Sequence, residues 1–366
     1  MSKLVNVCAA TVFAVPLAFV CAHAQGHSAE GSGKEFLKSA QRLEVIRRAE
    51  VWQPTDVASA DMKAGPTKGA FAPEATVTCD YVKEAFTGAS PKFACVIGKD
   101  DRVKVRFGVD NGEVYAGVAT TRLLWALGFG ADPLYPVHVV CRGCPKALHG
   151  DAATVAGETR FDVAGIERKM PGVEVESFEG PGWEWPELAF VDPAKGAMQR
   201  MHRDALTLLA VFLQHSDNKF NQQRLLCLGE HTANHELATC AEPFMMIHDV
   251  GQTFGRANLF NRSSVGSVNL DMWAHTPVWK DATRCVGNLA TAQTGSLSDP
   301  TISEAGRKFL AGLLTQLSDA QLHEVFTVAR FADKPVNGGT GRTTVDAWVD
   351  AFKHKRDEIT SVTCPS

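Results

Sequence analysis

The 366-residue chain is 45% hydrophobic and 21% charged, with a net charge of −4. That composition excludes a wholly disordered chain and supplies enough apolar surface for one large core or two lobes. The mild acidity offers nothing to nucleic acid or to an anionic membrane surface.

Lys3, the apolar run through Val20 and the small residues of Ala22-His-Ala24 have the anatomy of a secretory signal, so residues 1 to 24 are set apart from the fold. Phe19-Val20 ahead of Cys21 fits a lipoprotein site poorly. Removing Lys3 with the signal leaves 36 basic against 41 acidic side chains, a net of −5. No later stretch is apolar for long enough to cross a membrane as a helix. The expectation is a soluble periplasmic or extracellular product with no membrane partner once the signal is gone.

Ten cysteines less Cys8 and Cys21 leaves eight, an even number that favours a disulfide framework in an exported chain. Spacing does not fix the pairing. The local partners suggest Cys79 with Cys95, Cys141 with Cys144 and Cys227 with Cys240, leaving Cys285 for Cys364 at the C-terminal tail.

Residues 25–34 are rich in Gly, Ser and Ala and read as a flexible start, and Glu35–Glu50 as an amphipathic helix stopped by Trp52-Gln-Pro54. An irregular lead-in, 55–75, precedes three strand signals: Ala75 to Val82, Lys92 to Ile97 and Arg102 to Phe107. In the last, Arg102, Lys104 and Arg106 share one face under the period of two. The turn Thr87-Gly-Ala-Ser-Pro-Lys92 between the first two strands carries small residues that would let backbone amides approach an anion. Gly117–Leu127 reads as a helix with Gly128 as its stop, and Tyr135–Cys141 as a strand.

Cys141-Arg-Gly-Cys144 lacks the His that follows a haem-attachment pair and the second pair that zinc would need, which leaves a structural disulfide. Trp183 and Trp185 read as loop anchors. From Ala197 the pattern turns helical: Met201–Gln214, Ile302–Leu317, a capping box at Ser318-Asp-Ala-Gln321 opening a helix through Phe331, and Val345–Ile359. Strands early and helices late imply an α+β fold with a strand-rich N-terminal lobe (77–170) and a helical C-terminal lobe (171–366), after a lead-in of 25–76.

The helix ending at Gln214 delivers His215-Ser-Asp217-Asn218-Lys219-Phe-Asn221-Gln222, and Met246-Ile-His248-Asp249-Val-Gly251 follows about thirty residues on. Two acids presented from two buried supports suggest a metal or phosphate site, because a polar cluster next to an apolar run is costly unless it is used. Taken with Thr87–Lys92, the strand lysine Lys104 and the Glu167-Arg-Lys169 run, this order resembles the kinase-like fold, with HipA-type serine kinases as the nearest likeness and phosphatidylinositol kinases as a more distant one. The resemblance covers roughly residues 77 to 260.

The resemblance implies ATP as donor, with Mg²⁺ or alternatively Mn²⁺, and an acceptor hydroxyl on a protein or small molecule that the sequence does not name. It implies that Gly88, Ala89, Ser90 and Lys92 cover the phosphates, that Lys104 holds the α and β phosphates, and that Glu167 to Met170, with Lys169, form the connector beside the adenine. Asp217 would orient or deprotonate the acceptor, Lys219 would add positive charge, and Asp249 would bind the metal, with Gln222 or Asn221 as second ligand. Gln222 stands where the family places Asn. Gly117 stands where a Glu would pair with the strand lysine, with Glu113 as the substitute.

Other readings remain open at this point. Asp217 and Asp249 are alternatively helix-capping or loop-closing residues, and Glu167 with Lys169 a surface ion pair. A non-catalytic nucleotide-binding scaffold, or pseudokinase, keeps the same site without turnover. A metal-dependent hydrolase would draw on His202, His215, His231, His235 and His248 together with Asp217 and Asp249.

Overall fold

From Arg102 to Phe107 apolar and charged side chains alternate, and in the folded chain Val103 and Val105 are buried while Arg102, Lys104 and Arg106 turn to the other face. The computed structural model describes residues 36–67, 69–88, 90–145, 157–177, 180, 182–195, 200–228, 240–256, 268–289, 295–335 and 341–365. The expected signal (1–24), the flexible start (25–34), Ala89, His231 and His235 lie outside the described residues.

A short strand β1 (Phe36–Leu37) leads into helix α1 (Ser39–Arg48), which starts later than the expected Glu35. The expected strands follow as β2 (Ala75–Val82), β3 (Lys92–Ile97) and β4 (Asp101–Phe107). After helix α2 (Gly112–Ala126) come β5 (Leu134–Arg142) and β6 (Glu158–Glu167). These strands do not stay open: β2, β3, β4, β6 and β5 close as a barrel in that order. Closure comes from a parallel pairing of β2 with β5, Ala75 opposite Val137 through Asp80 opposite Arg142. Inside sit Val77, Phe93, Val105, Val139 and Ile166, with the rings of Phe93, Phe107 and Phe161 against one another.

Helix α2 begins at Gly112, five residues before the expected Gly117. The Asn111 side chain caps it by accepting from the Glu113 amide, a polar signal that apolar spacing does not register. Glu113 therefore sits in the first turn.

Beyond the barrel, β7 (Val173–Glu174) pairs with β9 (Gln223–Cys227), which pairs with β10 (Pro243–Ile247), and β8 (Glu176–Ser177) pairs with β1. Helix α3 (Arg200–Leu213) runs into the loop that opens at His215. Then come α4 (Leu270–His275), the pair β11 (Trp279–Asp281) and β12 (Val286–Gly287), α5 (Glu304–Leu314), α6 (Asp319–Val328) and α7 (Val345–Ser361). The capping box at Ser318 is present, with Gln321 returning a bond to the Ser318 amide, although α6 stops at Val328 rather than Phe331. Trp183 and Trp185 are buried, and the Trp183 indole donates to the carbonyls of Arg224 and Met246.

The content is α+β. Lys34–Ser366 clusters as one compact unit, which neither separates nor excludes the two expected lobes. The barrel keeps its own apolar interior, while a larger core gathers α1, α2, α3 and the later helices. Four disulfides join Cys79 to Cys95, Cys141 to Cys144, Cys227 to Cys240 and Cys285 to Cys364, the pairing that the local partners suggested. Such a framework fits an oxidising environment. Among the described residues no helix is long and apolar enough to cross a membrane.

Candidate active site

A cavity of about 1090 Å³ opens between the outer face of β3 and β4 and the loops that follow α3 and β10. Lys92, Lys104, Arg106 and Glu167 reach it from the barrel, and Asp217, Lys219, Asn221, Gln222 and Asp249 from the loops. Gly88, Ser90 and Lys169 line it as well. Of the residues that the kinase-like resemblance assigned to catalysis, phosphate or metal, every one among the described residues thus borders one space.

Arg106 is the hub of that space. Its side chain is only 4% exposed, and its guanidinium meets three acids: Glu113 from α2, Glu167 at the end of β6 through Nε at 3.3 Å, and Asp249 at 3.1 Å. Burial alone would make the guanidinium easier to deprotonate, but Asp249, Glu167 and Glu113 raise its pKa instead. Lys104, the expected phosphate ligand, pairs with Glu167, which lies opposite it in the β4 to β6 register. Glu113, the substitute partner considered for Lys104, pairs with Arg106 instead. Glu167 and Lys169 do not form a surface pair: Glu167 is buried between Lys104 and Arg106, while Lys169 reaches Glu174 at 3.1 Å and Asp132 at 3.4 Å.

Burial would raise the carboxyls of Asp249 and Glu167. Nearby cations overcome it, Arg106 first for Asp249 and Lys104 first for Glu167, so both stay below the usual carboxylate range. Asp249 also accepts from the Gly251 amide at 3.1 Å, folding the loop back on itself. A Cβ on Gly251 would come within 2.7 Å of Glu113 Cγ, so glycine is what lets this loop lie against the start of α2.

The two loops are laced together. The amides of His248 and Asp249 both donate to the Gln222 carbonyl, at 2.8 and 3.1 Å, and Ser216 N donates to the Gln252 carbonyl at 3.0 Å. Asp217 accepts from Gln222 Nε2 at 2.9 Å and from Lys219 at 3.2 Å. The Gln222 amide nitrogen is therefore turned to Asp217, and only its oxygen remains to serve a cation. Asn218, wholly buried, donates to the carbonyls of His215 and Leu297 and accepts from Leu297 N. Side-chain to backbone bonds thus close both loops, through Asn218 in the first and Asp249 in the second.

On the other side of the cavity the turn before β3 passes Gly88, whose φ of 87° suits a residue without Cβ. Lys92 Nζ lies above this turn, 3.4 Å from Ser90 Oγ. Burial, then the charge of Arg106, lowers the Lys92 pKa.

Sequence reasoning named Glu113 but missed Arg106 and Asp132. Asp132 is buried, accepts from the Met170 amide at 2.6 Å and lies 2.6 Å from His248 Nδ1. Burial opposes its ionisation, yet the bond to His248 brings its carboxyl to about 2. Asp132, Glu167 and His248 form a cluster within reach of one ion, but Lys104, Arg106 and Lys169 already hold its carboxylates. Among the histidines considered for a hydrolase, His202 packs between Trp52 and Phe309, and His215 is buried beside Trp185. The described histidines do not converge with Asp217 and Asp249 on a metal cluster.

No family model matches the chain, and no curated protein matches it. Among solved structures the chain is similar to the crystal structure of a Helicobacter pylori proinflammatory kinase, CtkA, with 11% identity, a TM-score of 0.41, and coverage of 80% of this chain and 95% of that one. A likeness that remote carries no function across.

Proposed function

We propose that this chain is an exported phosphotransferase of kinase-like, two-lobed design, acting on a hydroxyl acceptor with a nucleoside triphosphate and Mg²⁺ or Mn²⁺ as donor. The observation that carries the reading is that Asp217 and Asp249, from separate loops tied through one carbonyl, open on the same cavity as Lys92 and the Arg106 hub. The donors offered to such a cation are the Asp249 carboxylate, kept ionised and with lone pairs left beside its bonds to Arg106 and the Gly251 amide, and the Gln222 side-chain oxygen, turned away from Asp217, both hard oxygen ligands. Bound there, the cation would neutralise charge on the transferring phosphoryl group.

The chain's own groups do the rest. Lys92 and Arg106 meet phosphate oxygens from the barrel side, and the turn at Gly88 covers them. Asp217 accepts the proton of the acceptor hydroxyl, with Lys219 beside it to offset the charge that builds there. The four disulfides favour a periplasmic or extracellular destination.

Purified protein is melted with and without ATP and Mg²⁺, because a ligand of the folded state raises the midpoint. The reading expects a rise that needs both, and phosphoryl transfer that falls by about 10² to 10⁴ in Asp217→Ala. No rise with any nucleotide and metal overturns it. A specific observation supports a second reading, binding without turnover: Gln222 occupies Asp217 with its amide nitrogen. A nucleotide-dependent rise without transfer by the native chain selects that one.

A further inference from the structure

Cations outnumber acids among the residues that face the cavity, although Arg168, Lys169 and Arg224 pair with Asp101, Asp132 and Glu174 beyond it. Its described lining carries eight Lys and Arg side chains against five Asp and Glu, on a chain whose net charge is −4. Few apolar residue types line the cavity: among the described lining residues only Phe86 and Val103 are apolar, and Val103 is 4% exposed because its side chain belongs to the barrel interior, so the apolar surface here comes largely from the stems of polar side chains. Pockets for flat organic groups are mostly apolar with a few polar points. Here the lining residues are chiefly charged, with a single aromatic side chain, Phe86, near the turn.

Lys92 sharpens the point. Most of the cations here have a carboxylate partner: Arg102 has Glu84, Lys104 has Glu167, and Lys219 has Asp217. Lys92 forms no ion pair among the described residues, and its ammonium hangs over Gly88, where a Cβ would lie 3.2 Å from Nζ. Burial and then Arg106 act against its charge, Glu113 and Asp249 partly offset them, and the net effect is a lowered pKa. An anion placed between Lys92 and Arg106 would relieve that cost, through charge-assisted hydrogen bonds that need no base.

Resting on the phosphotransferase reading, we propose that the donor site recognises a polyphosphate chain and not a nucleoside, so that inorganic polyphosphate of three or more phosphates binds and donates in place of ATP. In the transfer, the acceptor oxygen forms a bond to the terminal phosphorus as that phosphorus loses its bridging oxygen. The acceptor proton passes to Asp217, and a chain one phosphate shorter leaves. Such a donor does not depend on nucleotide outside the cytoplasm.

The test melts the full chain in excess Mg²⁺ with tripolyphosphate, ATP, adenosine, or sulfate at matched ionic strength. The expected result is a comparable rise with tripolyphosphate and ATP, and none with adenosine or sulfate. Lys92→Met should weaken tripolyphosphate binding by about tenfold or more, and Lys92→Arg should retain it. A rise with ATP but not tripolyphosphate, or with adenosine alone, overturns this inference and leaves the nucleotide reading standing. No rise with any of them overturns both. Sulfate acting as well as tripolyphosphate, or Lys92→Met binding as tightly as the native chain, reduces the site to a general anion surface and ends the proposal.

Discussion

Arg106 donates to Asp249 across 3.1 Å, and that bond ties the barrel to the loop after β10. With Glu113 and Glu167 as further partners, one guanidinium holds three carboxylates from three elements. A buried charge that loses its partner is far costlier than the pair was favourable. Arg106→Met should therefore lower stability by about 3 to 5 kcal/mol in urea unfolding, together with loss of Mg-dependent ligand binding. Arg106→Lys should fall between, since an ammonium cannot reproduce a planar fork facing several acids. Lys104→Met leaves Glu167 still held by Arg106 and should cost clearly less than Arg106→Met. Equal losses at the two positions would show that Arg106 is not the hub.

His215 predicts a pH dependence. Its ring is 1% exposed, and neither nitrogen has a hydrogen-bond partner among the described residues. Burial pushes its pKa down from 6.5 to about 4, with Asp249 and Asp217 pulling weakly back. Between those values the unfolded chain binds a proton that the folded chain refuses, so stability falls as pH drops from 6.5 toward 4. The loss from this residue should approach about 3 kcal/mol. The depressed carboxyls act in the same sense but in a lower window: their contribution is present above their unfolded values, near 4, and is lost as pH falls below that. Urea midpoints measured across the window should slope for the native chain and flatten for His215→Leu. A native chain as stable at pH 4.5 as at pH 7 would contradict this.

Much of this site was legible in the sequence, and the rest was hidden for physical reasons. Alternation from Arg102 to Phe107 was enough to assign Lys104 and Arg106 to one face. It could not choose between them, because what singles out Arg106 is contact with Glu113 and Asp249, the latter 143 positions away. The barrel stayed hidden for a similar reason: its closure depends on the parallel pairing of β2 with β5, and no local pattern announces a long-range parallel neighbour. Asp132 met His248 across 116 positions without a motif at either end. The disulfides were easier, since three of the four join cysteines within 16 positions and leave the fourth pair by elimination.

That fourth bridge, Cys285 to Cys364, spans 79 positions, whereas Cys141 to Cys144 spans 3. In the chain-entropy account a longer closed loop restrains the unfolded state more. Cys285→Ser paired with Cys364→Ser should cost about 4 kcal/mol, and its effect should extend to α7, which the bridge joins to the body just before the chain ends. Cys141→Ser paired with Cys144→Ser should cost much less. The comparison is made by urea unfolding of each double variant. A larger loss from the short bridge would refute this ordering.

Asn218 gives a test of how the loop holds Asp217. Its Oδ1 accepts from Leu297 N at 3.0 Å, and its Nδ2 donates to the carbonyls of His215 at 3.1 Å and Leu297 at 3.3 Å. A Cβ on Gly295 would collide with this side chain, 1.9 Å from Oδ1, so the neighbouring segment is shaped around it. Asn218→Ala strands those backbone groups in the interior, and about 2 to 4 kcal/mol of stability should go with them. Asn218→Asp keeps the shape and the acceptor for Leu297 N, yet turns an oxygen toward two carbonyls that had received hydrogen bonds, and buries a charge as well. It should destabilise at least as much as alanine despite being the closer match in size. The loop's next-door neighbour is Asp217, so variants that still fold should lose phosphoryl transfer while keeping the Mg-dependent rise in melting temperature. If Asn218→Asp proves as stable as the native chain, the oriented amide is not what fixes this loop.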